Sequence, residues 1–136
     1  MTDETDKGGM IPLGEWHKLA FSKKGGSLPM PFTKEIFLLN CNVAGTTHQK
    51  DIEARTAEVQ PGTILDFRRE PENKYDGDAI MVLNQKGERI GFVPRKDNPI
   101  LAKLMDAGKL IYGKVTEKEM EGSWLRITME IFMRDL

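Results

Sequence analysis

Residues 69–95 read REPENKYDGDAIMVLNQKGERIGFVPR, and the register of the whole chain can be set from this run. DAIMVLN at 78–84 and RIGFV at 89–93 are short apolar segments of strand type. QKGE at 85–88 between them is a hairpin turn, and Pro94 ends the second strand. Ahead of the hairpin, Pro71, Asn73, Asp76, Gly77 and Asp78 are turn formers gathered around a single aromatic, Tyr75. An aromatic on a polar turn has two readings. It lies flat on a neighbouring element as a plug, or it offers its ring to a ligand at the rim of a sheet.

Working outward, GTILDFRRE at 62–70 alternates Leu65, Phe67 and Arg69 against Ile64, Asp66 and Arg68, and IFLLNCNVAG from Ile36 is a buried-type run. Near the C-terminal end, LIYGKVTEKEM at 110–120 and SWLRITMEIFMRD at 123–135 pair across the turn EGS. In the second of these Leu125, Ile127, Met129 and Ile131 face inward against Arg126, Thr128 and Glu130. One helix is expected in DNPILAKLMDAGK at 97–109. There Asp97 or Asn98 caps, Pro99 suits the first turn, Ile100, Leu101, Leu104 and Met105 form one face, and Gly108 stops the helix. These elements predict a mainly β domain over residues 35–136, a small barrel or strongly curved antiparallel sheet with a helix over one opening. Residues 1–34 read as a tail or linker around one short helical candidate, LGEWHKLAF at 13–21, which would dock on the domain or on a partner.

At 136 residues the chain holds one modest core. Its 20 basic residues against 21 acidic ones exclude a globally basic binder, so any polyanion site must be local. The lone cysteine, Cys41, has no partner for a disulfide and sits in an apolar run, which reads as a small buried side chain rather than a redox centre. The first ten residues, MTDETDKGGM, have neither a basic nor an apolar leader region. No segment reaches the roughly 18 apolar residues that span a bilayer, and the expected location is cytoplasmic, with no membrane partner.

Catalytic chemistry has no visible residues. His17 and His48 lack a second histidine or a thiol at ligand spacing, so no metal site is expected. DGD at 76–78 lacks the calcium-loop pattern and is explained as a turn. KGG and KKGG are not phosphate loops, because no strand precedes them and no helix with the required lysine follows. GTTH and the scattered serines supply no nucleophile with a base in register, while Glu70 and Glu72 read as solvated carboxylates. No cofactor is implied. One local imbalance remains: from Lys86 to Lys118 basic residues outnumber acidic ones eight to four, and Arg95 and Lys96 follow a strand end where a backbone phosphate can reach them.

The ordered set REPENKYDGDAIMV, GERIGFVPR, the helix ILAKLMDAG and a closing strand resembles a HIRAN domain, from near Ile36 to the C-terminal end. The block Arg69 to Arg95 is its specific part. The resemblance implies an OB-like curved β-barrel capped by a helix, and a module that grips the 3′ end of single-stranded DNA in repair or at a replication fork. On that pattern Tyr75 stacks on a terminal base, Asp76 accepts from the 3′-hydroxyl, and Asn73 contacts the base edge or holds the turn. Arg95, with Lys96 beside it, neutralises a backbone phosphate, and Phe92, two residues after Ile90 on the same strand, forms part of the pocket floor. The family occurs both as standalone bacterial proteins, the type this chain resembles, and as amino-terminal modules of large helicase-type fork remodellers with separate ATPase domains. A helicase, ATPase or other repair protein is therefore the implied protein partner, and no catalysis is implied here.

Two departures qualify the pattern. DNA-binding members carry aromatics on the first strand where this chain has Asn40, Cys41, Asn42 and Val43, so half of the stacking clamp is missing, with Phe21 or Trp16 of the tail as candidates to supply the ring. Asn-Lys-Tyr-Asp stands in place of the commoner Asn-Pro-Tyr-Asp, giving up some rigidity. The alternative expectation is therefore a protein-interaction or assembly module that has kept the barrel and lost the clamp, with Trp16, Phe21 and LPMPF as its contact segment.

Overall fold

The structure, a computed structural model, describes residues 34–135. The helical candidate at 13–21, with Trp16 and Phe21, lies outside the described residues. In chain order the elements are β1 (Lys34–Asn42), a 3-10 turn (Thr46–His48), α1 (Ile52–Arg55), β2 (Ile64–Arg69), β3 (Ile80–Leu83), β4 (Arg89–Phe92), α2 (Asn98–Asp106), β5 (Leu110–Glu121) and β6 (Trp124–Asp135). The strands form one antiparallel sheet in the order β1-β6-β5-β2-β3-β4. The sheet curls into the expected OB-like half-barrel.

The curl has identifiable causes. Register shifts interrupt β1–β6 between Phe37 and Leu39, β5–β6 between Val115 and Glu117, and β3–β4 between Val82 and Leu83. Such bulges bend a strand and increase its twist. Bending brings the two edge strands together at one bridge, where Ala44 and Phe92 exchange both backbone hydrogen bonds at 2.8 Å. The approach is so close that a Cβ on Gly91 would sit 2.5 Å from the Ala44 carbonyl oxygen and 2.5 Å from Val43 Cγ1. Glycine is therefore required inside the GFV strand for a packing reason, independent of any turn.

The core lies inside the curl. Leu125, Ile127, Met129 and Ile131 of β6 are buried on its inner face, as their alternation requires, with Leu65, Ile80, Val82, Ile90, Ile111 and Val115 from the facing strands. Each fully buried aliphatic side chain of this kind contributes about 1.5–3 kcal/mol relative to exposure. Helix α2 seats Leu101 and Ala102 in this core. Its apolar face differs from the expected one: Ile100 is 65% exposed, while Ala102 is buried and Leu104 and Met105 pack at the edge. Helical spacing alone does not tell which side of Leu101 faces in, and the smaller Ala102 fits where the helix lies close to the sheet.

Between β1 and β2 the chain forms a 3-10 turn and α1, although its sequence there carries no helical signal. Their polar side chains are used inside the fold. The buried Thr46 hydroxyl donates to the Leu125 carbonyl at 2.8 Å, and Arg89 Nε donates to Gln49 Oε1 at 2.7 Å. Segments secured by side-chain bonds of this kind carry no hydrophobic periodicity to read. Among the described residues no helix is long and apolar enough to cross a membrane.

Candidate nucleic-acid interface

The connection between β2 and β3, residues 70–79, is a network of short-range hydrogen bonds. The Glu70 amide donates to the Ala79 carbonyl at 3.0 Å and the Asn73 amide to the Glu70 carbonyl at 3.1 Å, closing the base of the loop. Asn73 then organises its tip: Oδ1 accepts from the amides of Tyr75 at 2.8 Å and Asp76 at 3.0 Å, while Nδ2 donates to Glu70 Oε1 at 3.0 Å. This is the local side-chain-to-backbone bonding for which asparagine is favoured in turns. Of the two expectations for Asn73, holding the turn is the one these contacts describe.

Tyr75 is thereby fixed at its backbone, and the residue is 80% exposed. Among the described residues that exposure speaks against the ring lying as a plug on a neighbouring element. The Tyr75 backbone carbonyl accepts from Arg95 Nη2 at 3.3 Å, which ties the guanidinium to the turn.

Asp76 lies below the tip. Oδ1 accepts from the Asp78 amide at 2.9 Å, and Oδ2 accepts from Asn98 Nδ2 at 2.9 Å with Arg95 Nε at 3.6 Å. The Asn98 hydrogen bond, then the Asp78 amide, with help from Arg95 and Arg69, hold its carboxyl below the usual aspartate range, against the pull of desolvation. At neutral pH it is a carboxylate, able to accept a hydrogen bond and unsuited to giving up a proton.

Of the two expected caps Asp97 takes the N-cap position, without a side-chain cap bond: the amides of Asp97 and Asn98 are taken by the Pro94 carbonyl, and the Asn98 side chain is spent on Asp76. Arg69 was read as one position of an alternating strand. Its guanidinium reaches the carbonyls of Ala79 at 2.7 Å and Gly77 at 3.0 Å and the Asp106 carboxylate at 3.0 and 3.2 Å. Neither residue was among the candidate site positions. Their bonds to Asp106 and Asp76 span 37 and 22 residues, so no local sequence pattern signals them.

The structure joins Asn73, Tyr75, Asp76 and Arg95 through these contacts and leaves the other two candidates apart. Lys96 is exposed and pairs with its neighbour Asp97 at 3.2 Å. Phe92 does not share the inward face of Ile90. The register shift in β3–β4 intervenes, and the half-buried ring lies under the Arg89 guanidinium at 5.1 Å, with Gly45 beside it. Simple alternation from Ile90 therefore does not describe which way Phe92 faces. The basic excess over 86–118 is also dispersed, Lys118 donating to the Thr56 carbonyl and Arg89 to Gln49. On β1, Cys41 is buried in the core and its thiol is pushed up to about 12 by desolvation, then by the Asp97 charge, with Lys96 opposing. The thiol is inert at neutral pH. Among the described residues no three His, Cys, Asp or Glu side chains gather as a metal site.

An exposed aromatic residue with a guanidinium and an ionised carboxylate on the same turn can stack a planar group, neutralise a phosphate and accept from a hydroxyl. A family model described as HIRAN domain matches residues 36–134. Among solved structures, a protein from Lactobacillus plantarum superposes with a TM-score of 0.69 at 26% identity, covering 76% of this chain and 99% of that one. The crystal structure of the HIRAN domain of human HLTF superposes at 0.57 with 20% identity, over 74% of this chain and 78% of that one. The NMR structure of the same human domain in its DNA-bound conformation gives 0.52 at 20% identity, over 74% and 79%. At that identity the human structures speak to the fold. No curated protein matches the chain.

Proposed function

The chain belongs to the HIRAN domain family, and we propose that it is a nucleic-acid-binding module that receives the 3′ end of single-stranded DNA on the turn around Tyr75. The observation that carries this reading is Tyr75 itself, 80% exposed on a hydrogen-bonded turn, with its backbone carbonyl accepting from Arg95 and Arg95 in turn near the Asp76 carboxylate. A base stacked on the Tyr75 ring gains roughly 1–3 kcal/mol whatever its identity. Arg95 and Lys96 supply phosphate contacts. Asp76 accepts from a terminal hydroxyl and repels a terminal phosphate, which gives a preference for the free end. The human HLTF domain, solved in a DNA-bound conformation, is the relative whose ligand supports a nucleic-acid partner. The module itself works without catalysis, and any motor activity would come from a separate helicase-type ATPase or another repair protein.

The test is fluorescence anisotropy at low salt with a short strand ending in a free 3′-hydroxyl, its 3′-phosphorylated twin and a matching duplex. The free-hydroxyl strand is expected to bind best. Tyr75→Ala should weaken binding about tenfold or more, and Asp76→Ala should remove the preference between the two ends. Equal, weak binding of all three ligands would sink this reading and leave the protein-interaction module in its place.

A further inference from the structure

We propose that helix α2 is a brace for the recognition turn, with Arg69 and Asn98 as positioning residues that hold Tyr75 and Asp76 in place before any ligand arrives. The proposal rests on the reading of the site given above. Its physical basis is that both ends of one nine-residue helix are tied to one turn. At the first residue of α2, Asn98, only 2% exposed, donates to Asp76. At the last residue, Asp106 takes the Arg69 guanidinium, whose remaining donors reach the Gly77 and Ala79 carbonyls. Between those ends Leu101 and Ala102 sit in the core. The turn is thus referenced to the core through the helix, and Tyr75 inherits a fixed position although it is 80% exposed.

A ten-residue connection rich in turn formers would otherwise lose conformational freedom when a ligand bound, and the affinity would fall accordingly. The arrangement here meets that requirement during folding. Asn98 and Arg69 need not touch the ligand. Their effect is transmitted through the tip amides that Asn73 and Asp76 accept from, and through the carbonyls that Arg69 gathers.

Amide hydrogen exchange of the full chain without ligand tests the brace directly. In the unsubstituted protein the 70–79 amides should be protected. Asn98→Ala and Arg69→Gln should speed their exchange at least tenfold while β6 amides stay unchanged, Arg69→Lys should restore part of the protection, and Asp106→Asn should have a smaller effect because its carboxylate is largely exposed. The same variants are then titrated with the free-hydroxyl strand, where Asn98→Ala is expected to weaken binding about tenfold. A turn that exchanges as fast as an unfolded segment in the unsubstituted protein overturns the proposal, as does one unmoved by any of the substitutions. Faster exchange with unchanged affinity overturns the positioning role. If the unsubstituted chain binds no strand at all, the functional reading fails and the brace stands or falls on exchange alone.

Discussion

The recognition turn and the far end of the β5–β6 hairpin use the same components, arginine and carboxylates at a strand connection, with opposite polarity. At the hairpin end Arg126 is the inner member: its side chain is 19% exposed and it binds Glu117, Glu119 and Glu121 at 2.7–2.8 Å, all three between 47% and 61% exposed. Around Arg95 the carboxylates are inside, Asp76 at 20% and Asp97 at 18%, while Arg95 and Lys96 stand out at 71% and 76%; the Arg69–Asp106 pair behind the turn keeps the other polarity, at 14% and 58%. Near-zero net charge therefore conceals two surfaces of opposite sign, and a polyanion meets an attractive one at Tyr75 and a repulsive one at the hairpin end. Whole-chain composition cannot show this, since it depends on which partner of each ion pair faces the solvent.

Charge reversal tests the contrast most strongly. Arg95→Glu should weaken single-strand binding by an order of magnitude or more at low salt, because it both removes a phosphate contact and frees the turn from its outer tether. Glu119→Lys should leave binding within about twofold if the hairpin end is away from the ligand path, and a large gain there would show that the strand reaches it. The milder Arg95→Ala should reduce the slope of log affinity against log salt by about 0.7, the value for one single-strand phosphate contact.

A second, smaller effect is acid sensitivity. The folded state holds Asp76 below its usual value, so its contribution to the turn is fully present above the unfolded-state pKa and is lost as pH falls through the lower folded-state one. Protection of the 70–79 amides should persist through the pH range where free aspartate titrates and give way only below it, and Asp76→Asn should abolish that dependence. Loosening at or above the ordinary aspartate range would contradict the assigned direction. Least affected should be Arg126→Ala: its partners are solvent-exposed, so a slight fall in Tm with unchanged strand binding is expected by differential scanning fluorimetry and anisotropy.

What was legible in the sequence follows from the range of the interaction. The alternation of Leu125, Ile127, Met129 and Ile131 reports burial on one strand face, and the inner face of β6 is as read. Turn chemistry is also local, so Asn73, Tyr75 and Asp76 were found together. The facing of Phe92 was not legible because a one-residue register shift against β3 reverses which face a side chain takes. Ile100 was misplaced because helical periodicity fixes the width of a face better than its centre. Arg69 and Asn98 escaped notice because their partners lie 37 and 22 residues away, and no local pattern announces a bond of that span.

The pairing of β1 with β6 sets Lys34 opposite Asp135, near the two ends of the described chain. Among the described strands β1 is made first, yet its ladder partner β6 is made last. The segment just after β1 can meet Phe92 at the Ala44 bridge once β4 has formed. Until β6 is in place, the row of β1 amides that it pairs has no ladder partner. Closure of the barrel on β1 is therefore a late, non-local event in folding.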